Sequence, residues 1–284
     1  MGLFSSRILI YIPAYNCSET IANVLAEIPP LLAEISDIMV LDNCSNAPIE
    51  SIIRESFPEG IHSRPITVVR SESNLGYAGS QKLAYKLALQ SESVEWVIML
   101  HGDGQYPPEL LDRYIPFLDS KNGIVYGYRS RKHFPDKEET PSLSALTIKT
   151  LSFLESIVTG YSRLEWHTGF LMHSTRFLSR VDLDALTSTP HIDGHLLFAA
   201  GVLREDVAAI PIYKRYKLLQ AFEGAARRRY VLDVLRLMFL FRKEKSSLIL
   251  KGAQQKHRVE LTIRCYPENK IDTEKKKNSL SFNA

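Results

Sequence analysis

The chain has 284 residues, 45% hydrophobic and 24% charged, with a net charge of +3. This is the balance of an ordinary soluble globular protein, with room for one large α/β domain or a domain with an appendage, and too little positive charge to argue for nucleic acid. Three widely spaced cysteines, Cys17, Cys44 and Cys265, match neither a disulfide framework nor a zinc-site spacing, and a reducing compartment is the simpler reading.

Residues 7–12 form an apolar, β-branched run ended by Pro13, a first strand. Ser18 can cap a helix that carries Ile21, Val24, Leu25 and Ile28 on one face and stops at Pro29-Pro30. No apolar core with a cleavage site precedes this pattern, so no signal peptide is expected. Residues 37–41 read as a second strand ending at Asp42-Asn43, residues 50–56 as a helix, and residues 66–69 as a third strand. Gly76 opens a helix with Leu83, Ala84, Leu87 and Ala88 as its buried stripe. Residues 94–100 are a fully buried fourth strand, and Leu110, Leu111, Tyr114, Ile115 and Leu118 mark the next helix before a fifth strand at 123–127. Strands alternating with helices predict an α/β fold, a mostly parallel sheet flanked by helices.

The second half is less regular. Leu143, Leu146, Thr150, Leu151, Leu154, Ile157 and Val158 predict a helix with a broad apolar face, residues 191–203 a helix, and residues 208–212 a strand. Residues 230–241 form an apolar helix flanked by Arg227, Arg228, Arg229 and by Arg242-Lys243. It is too short to span a membrane. Three readings stay open for it: a core helix, a dimer contact, or a helix lying in the lipid headgroup region. No run of about 20 apolar residues exists, so no spanning helix is expected. The predicted organisation is a catalytic domain over 1–216, an apolar and basic helical extension over 217–251, and a polar tail over 252–284 that is partly disordered and includes Lys275, Lys276 and Lys277.

The chemistry concentrates where the fourth strand stops. His101, Asp103 and Gln105 follow the apolar run at alternate positions, and Pro107-Pro108 then suits the first turn of a helix. In open α/β sheets ligands bind outside the carboxyl ends of the strands. Alternate residues of an extended segment point one way, so the trio can converge on one divalent cation. The plainer alternative is that Asp103 and Gln105 only cap the helix.

Four motifs in order resemble the signature of family 2 glycosyltransferases, which have the GT-A (nucleotide-diphospho-sugar transferase) fold: Pro13-Ala14-Tyr15-Asn16, Asp42-Asn43-Cys44-Ser45, Asn74-Leu75-Gly76 and Asp103-Gly104-Gln105-Tyr106-Pro107-Pro108-Glu109. Gly127-Tyr128-Arg129, His167-Thr168-Gly169-Phe170 and the stretch from Pro211 to Tyr216 extend the likeness toward the dolichol-phosphate mannose synthase subgroup. The resemblance implies an inverting, metal-dependent transferase that moves a sugar from a nucleotide-sugar donor to an acceptor, either a polyprenyl phosphate or a saccharide. Pro13, Tyr15, Asp42, Asn74, Gly76 and His101 would surround the donor, with Asn74 and Gly76 just before a helix N-terminus, a natural anion site. Asp103 with Gln105 would hold Mg²⁺ or Mn²⁺ on the diphosphate. Arg129 would clamp a phosphate, and Asp193 or Glu165 would deprotonate a hydroxyl acceptor.

The sequence departs from that pattern in three places. His101 replaces the first acid of the metal motif and is read either as a ligand or, by preference, as a donor to phosphate. Cys17 stands where the family has glutamate, and Leu171 where it has arginine. Two rivals follow. A sugar nucleotidyltransferase would want a glycine-rich loop at residues 13–16, where none exists. A degenerate family member that only binds sugar nucleotides would not need Asp42, Asp103 and Gln105. The reading places the protein in the cytoplasm, with peripheral contact at the inner face of the membrane and a homodimer left open.

Overall fold

The computed structural model describes residues 3–216, 224–243 and 261–266. A single sheet of eight strands runs through it in the order β7-β5-β6-β4-β1-β2-β3-β8. Strand β1 (Ile8–Ala14) lies at its middle, parallel to β2 (Ser36–Asp42) on one side and to β4 (Trp96–Met99) on the other. Strand β3 (Ile66–Ser71) extends the first side in parallel. Beyond β4 come β6 (Leu171–Ser174), antiparallel to both its neighbours, then β5 (Ile124–Arg129) and β7 (Val207–Ile212), parallel to each other.

Strand β1 is apolar on both faces because helices cover both faces of the sheet. Its residues alternate between two cores. Leu9 and Tyr11 join Leu83, Leu87, Phe198 and Phe241 on one side; Ile8, Ile10 and Ile12 join Ile21, Leu25, Leu32 and Ile53 on the other. The first core is roofed by α4 (Gly76–Leu89), α7 (Ile192–Val202) and α8 (Gly224–Lys243); the second by α1 (Ile21–Ala26), α2 (Pro30–Glu34) and α3 (Ile49–Ser56). Helix α5 (Ser142–Thr159) packs beside α8, and a single turn, α6 (Thr175–Leu178), follows β6. The chain runs from β1 to β2 and β3 on one side, then crosses to β4 on the other. A crevice therefore opens at the carboxyl ends of β1 and β4, the switch point where α/β sheets bind ligands.

Three elements differ from the reading of the sequence. The helix after Pro107 is a 3₁₀ helix, Pro108–Phe117, with Pro116 inside it; proline supplies no N–H for a backbone bond and disfavours helical continuation. The polar tail contains a strand, β8 (Leu261–Tyr266), paired antiparallel with β3 from Ile66↔Tyr266 to Ser71↔Leu261. Its side chains alternate weakly, which hides it from period counting. The rest of the tail, Lys275, Lys276 and Lys277 included, lies outside the described residues. The predicted helical extension is not separate from the core: Val234, Leu237, Met238 and Phe241 of α8 are buried, with the Phe241 ring 5.0 Å from that of Phe198. Its other face leaves Leu232, Leu235 and Phe239 exposed, Phe239 by 69%. Among the described residues no helix is long and apolar enough to cross a membrane.

Candidate active site

A cavity of about 270 Å³ occupies the crevice. Pro13, Ala14, Tyr15 and Cys17 from the end of β1, Asn43 after β2, Asn74, Gly76, Tyr77 and Ser80 around the start of α4, and His101, Gly102 and Asp103 after β4 line it. Of the eleven residues nominated from sequence, six meet there: Pro13, Tyr15, Asn74, Gly76, His101 and Asp103. Tyr15 is 51% exposed at the rim, free to stack on a planar ring. The Cys17 thiol is buried, and burial pushes its pKa up to about 12, so it lies in the wall as a neutral group. All three cysteines are free.

Asp42 is not in that wall. Its carboxylate is fully buried, accepts the backbone N–H groups of Ser45 (2.9 Å) and Ile49 (3.4 Å), and pairs with Arg70. It ties the turn after β2 to the start of α3 and lies behind the cavity wall. The next residue, Asn43, takes the cavity position. Its Oδ1 accepts from Leu75 N (2.9 Å), and its Nδ2 donates to Asn74 Oδ1 (3.1 Å), which also accepts from Gly76 N (2.8 Å). This pair holds the first turn of α4 at the cavity. Gly76 sits at φ +69°, a backbone that glycine adopts without cost.

Asp103 projects from a turn closed by Gly104 at φ +71°. Gln105 serves it rather than standing beside it: Gln105 N donates to Asp103 Oδ1 (3.0 Å) and Gln105 Nε2 to Oδ2 (2.6 Å). The Gln105 amide nitrogen thus fixes the carboxylate, and each Asp103 oxygen keeps a further lone pair for a cation. His101 lies between the rings of Tyr77 and Tyr106, and its Nε2 is 3.0 Å from the Gly169 carbonyl. A carbonyl only accepts, so Nε2 carries the proton. Burial lowers the His101 pKa, against an upward pull from Asp103, and Nδ1 is the ring atom left for another partner. Nδ1 ligates a metal when bare and donates to phosphate when protonated, so both readings of His101 use this one atom. Gly169 is required here, since a Cβ on it would lie 2.5 Å from His101 Nε2.

Arg129 and Glu165 hold each other. Arg129 N and Nε each donate to Glu165 at 2.8 Å, its terminal nitrogens reach Glu165, the His167 carbonyl (3.0 Å) and Tyr216 Oη (3.2 Å), and the two side chains are only 8% and 5% exposed. Burial would depress the Arg129 guanidinium, but Glu165 outweighs it and leaves it raised. Arg129 is therefore not a free phosphate clamp, nor is Glu165 a free base. Together they pin the loop before β6 to the end of β5. Asp193, in the first turn of α7, accepts from Tyr77 Oη and Gln81 Nε2, both at 2.7 Å. Burial raises its pKa to about 6 despite those two donors. It stands one hydrogen bond behind the cavity, with Tyr77 in front.

Lys214, just past β7, was not singled out from the sequence. Its Nζ lies 5.0 Å from the centre of the Tyr106 ring and 5.2 Å from that of Tyr216. Burial and Arg129 lower its pKa to about 8, against Asp103, Glu165 and Glu138. A cation held over aromatic faces and within the electrostatic reach of Asp103 suits a diphosphate. Its signal was the stretch from Pro211 to Tyr216, already part of the resemblance.

Comparison with known proteins agrees with this geometry. Residues 9–187 match the model of glycosyl transferase family 2. An uncharacterized protein of Methanocaldococcus jannaschii is 26% identical over 168 residues, 59% of this chain and 71% of the relative. An uncharacterized glycosyltransferase of Haemophilus influenzae is 22% identical over 123 residues, 43% of this chain and 38% of that protein. Among solved structures, glucosyl-3-phosphoglycerate synthase of Mycobacterium tuberculosis in complex with Mn²⁺, UDP and glucosyl-3-phosphoglycerate superposes with a TM-score of 0.59 at 14% identity, covering 94% of this chain and 89% of that one. The same enzyme with Mn²⁺, UDP-glucose and phosphoglyceric acid gives 0.59 at 15% identity, covering 89% and 84%. At such identity the likeness shows the fold, GT-A.

Proposed function

The chain belongs to glycosyl transferase family 2 and is a glycosyltransferase; we propose that it transfers the sugar of a nucleotide-diphosphate sugar, with inversion and with a divalent cation, to a polyprenyl phosphate presented at a membrane surface. The observation that carries the acceptor is the state of the two sequence-nominated bases. Glu165 is bonded to Arg129, and Asp193 is held by Tyr77 and Gln81 outside the cavity wall. A phosphate oxygen is already a nucleophile and needs neither. The subgroup that the downstream motifs resemble fits the same acceptor.

Asp103, oriented by Gln105, and His101 through Nδ1 would hold Mn²⁺ or Mg²⁺; imidazole favours Mn²⁺ of the two. The cation would neutralise charge on the departing nucleoside diphosphate. Tyr15 stacks on the base at the rim, and the first turn of α4, held in place by Asn43 and Asn74, faces the phosphate oxygens. Lys214 adds positive charge on the side of β7. Exposed Leu143, Leu146, Phe153 and Ile157 on α5, and Leu232, Leu235 and Phe239 on α8, form apolar faces. Arg228, Arg229, Arg236, Arg242 and Lys243 are exposed on α8 beside them. An apolar face bordered by basic residues suits an anionic bilayer surface.

A second reading has one observation in its favour. Tyr77 lines the cavity and donates to Asp193, so a saccharide hydroxyl there could lose its proton toward that carboxylate. The two readings separate in one assay. Asp193→Asn is assayed with a short polyprenyl phosphate and with a saccharide panel, together with nucleotide binding. A phosphate acceptor predicts near wild-type transfer; a loss of about 10²-fold or more with donor binding intact would establish the base and the hydroxyl acceptor instead.

A further inference from the structure

A second group of metal-capable side chains lies behind the loop that carries Gly169. Glu155 on α5, His167 in the loop before β6 and His191 at the N-cap of α7 present donor atoms that all fall within 4.8 Å of one another. The three side chains are at most 3% exposed. His167 Nε2 is 2.9 Å from Glu155 Oε2, and His191 Nε2 is 2.8 Å from Glu155 Oε1. Yet none of these four buried atoms has a hydrogen-bond partner. The four atoms lie at ion-pair distance around one small space but make no well-directed hydrogen bond to one another.

Proton bookkeeping points the same way. The far nitrogens, Nδ1 of His167 and Nδ1 of His191, both reach one atom, Tyr230 Oη, at 2.8 and 3.2 Å. If both Nε2 atoms carried protons toward Glu155, two neutral rings would present two bare Nδ1 atoms to a phenol with one proton. One ring would have to become an imidazolium to complete the set. If both Nε2 lone pairs face a cation, both Nδ1–H groups donate to the two lone pairs of Tyr230 Oη and both rings stay neutral. Metal-bound histidines ordinarily donate their other ring N–H to such a partner. Ligands about 2.1 Å from a tetrahedral ion are about 3.4 Å apart, so the 2.9 and 2.8 Å separations seen here would open slightly on binding.

We propose that Glu155, His167 and His191, backed by Tyr230, form a second divalent-metal site of the zinc class, separate from the Asp103 centre. Two imidazoles and a carboxylate are a donor set that zinc accepts. The ion would join α5, the loop before β6, α7 and, through Tyr230, α8. That loop also carries the Gly169 carbonyl that orients His101 and the His167 carbonyl bonded to Arg129, so its role is to hold the active-site loop.

The test uses the full chain, stripped with a chelator and titrated with Zn²⁺ against a competing chelator, in wild type, Asp103→Ala, Glu155→Gln and Tyr230→Phe. Wild type and Asp103→Ala are expected to bind one tight equivalent with equal affinity. Glu155→Gln is expected to lose it, and Tyr230→Phe, which keeps the buried ring, to weaken it by about 10–100-fold. Co²⁺ in the wild-type site should give a visible d–d spectrum that Zn²⁺ abolishes, a readout independent of whether Glu155→Gln folds. Absence of a tight equivalent in wild type, its loss in Asp103→Ala while folded, or unchanged affinity in Tyr230→Phe would overturn the proposal.

Discussion

Replacing Glu165 by glutamine separates a structural role from a catalytic one. The carboxamide keeps the shape and one acceptor but removes the charge opposite Arg129. The guanidinium retains only the His167 carbonyl and Tyr216 Oη as other partners, in a place where the pair is 8% and 5% exposed. Removing one partner of a buried pair costs about 3–5 kcal/mol, because the other charge is left uncompensated; the remaining carboxamide acceptor puts the expectation near the lower end, about 3 kcal/mol. With a urea slope of about 3 kcal/mol per M, the midpoint should fall by roughly 1 M. Transfer, measured well below that midpoint, should drop by less than the 10²-fold typical of a lost general base. The double variant Arg129→Met, Glu165→Leu should be less destabilised than the sum of the singles, because no charge remains stranded. A Glu165→Gln protein with an unchanged midpoint and transfer reduced 10²-fold or more would refute the reasoning and return Glu165 to the role of base.

Other residues give equally direct outcomes. Asp42→Ala should cost about 1–3 kcal/mol of stability through the lost turn and ion pair, with UDP and GDP affinity nearly unchanged by calorimetry, whereas Asn43→Ala should weaken the nucleotide that binds; the reverse pattern would put Asp42 back at the donor. Lys214 has its pKa lowered to about 8, so its charge is full below that value and lost as pH rises through it. Nucleoside diphosphate affinity should therefore fall above about pH 8 in wild type, and this step should vanish in Lys214→Met; an identical profile in both would exclude Lys214 as the phosphate contact. Phe239→Glu on the exposed face of α8 should abolish co-sedimentation with anionic vesicles without lowering the melting temperature, while Phe241→Glu on the buried face should unfold the protein. No vesicle binding by wild type at low salt, together with a dimer in solution, would make that face a subunit contact.

The parts of the site that were legible in the sequence are those set by local pattern. An apolar run ending at His101 places Asp103 at the carboxyl end of a strand, and the same logic brings Pro13, Tyr15, Asn74 and Gly76 to one crevice. The parts that were not legible depend on distant partners. Nothing near Asp42 announces Arg70, 28 residues on, and nothing near Arg129 announces Glu165, 36 residues on; each looked free only because its partner was out of view. The orientation of His101 depends on a carbonyl 68 residues away. Strand β8 was hidden for a related reason: an edge strand with half-exposed side chains needs β3 to define it.

The central claim is that Asp103 holds a catalytic cation on a nucleotide-sugar donor. The direct measurement is release of nucleoside diphosphate from a panel of nucleotide-sugars, with Mn²⁺, Mg²⁺ or excess EDTA, for wild type and Asp103→Ala. The account predicts turnover of one donor class with Mn²⁺ or Mg²⁺, no turnover in EDTA, and none by an Asp103→Ala protein that unfolds like wild type. Full turnover in EDTA, matched by Asp103→Ala, would contradict it.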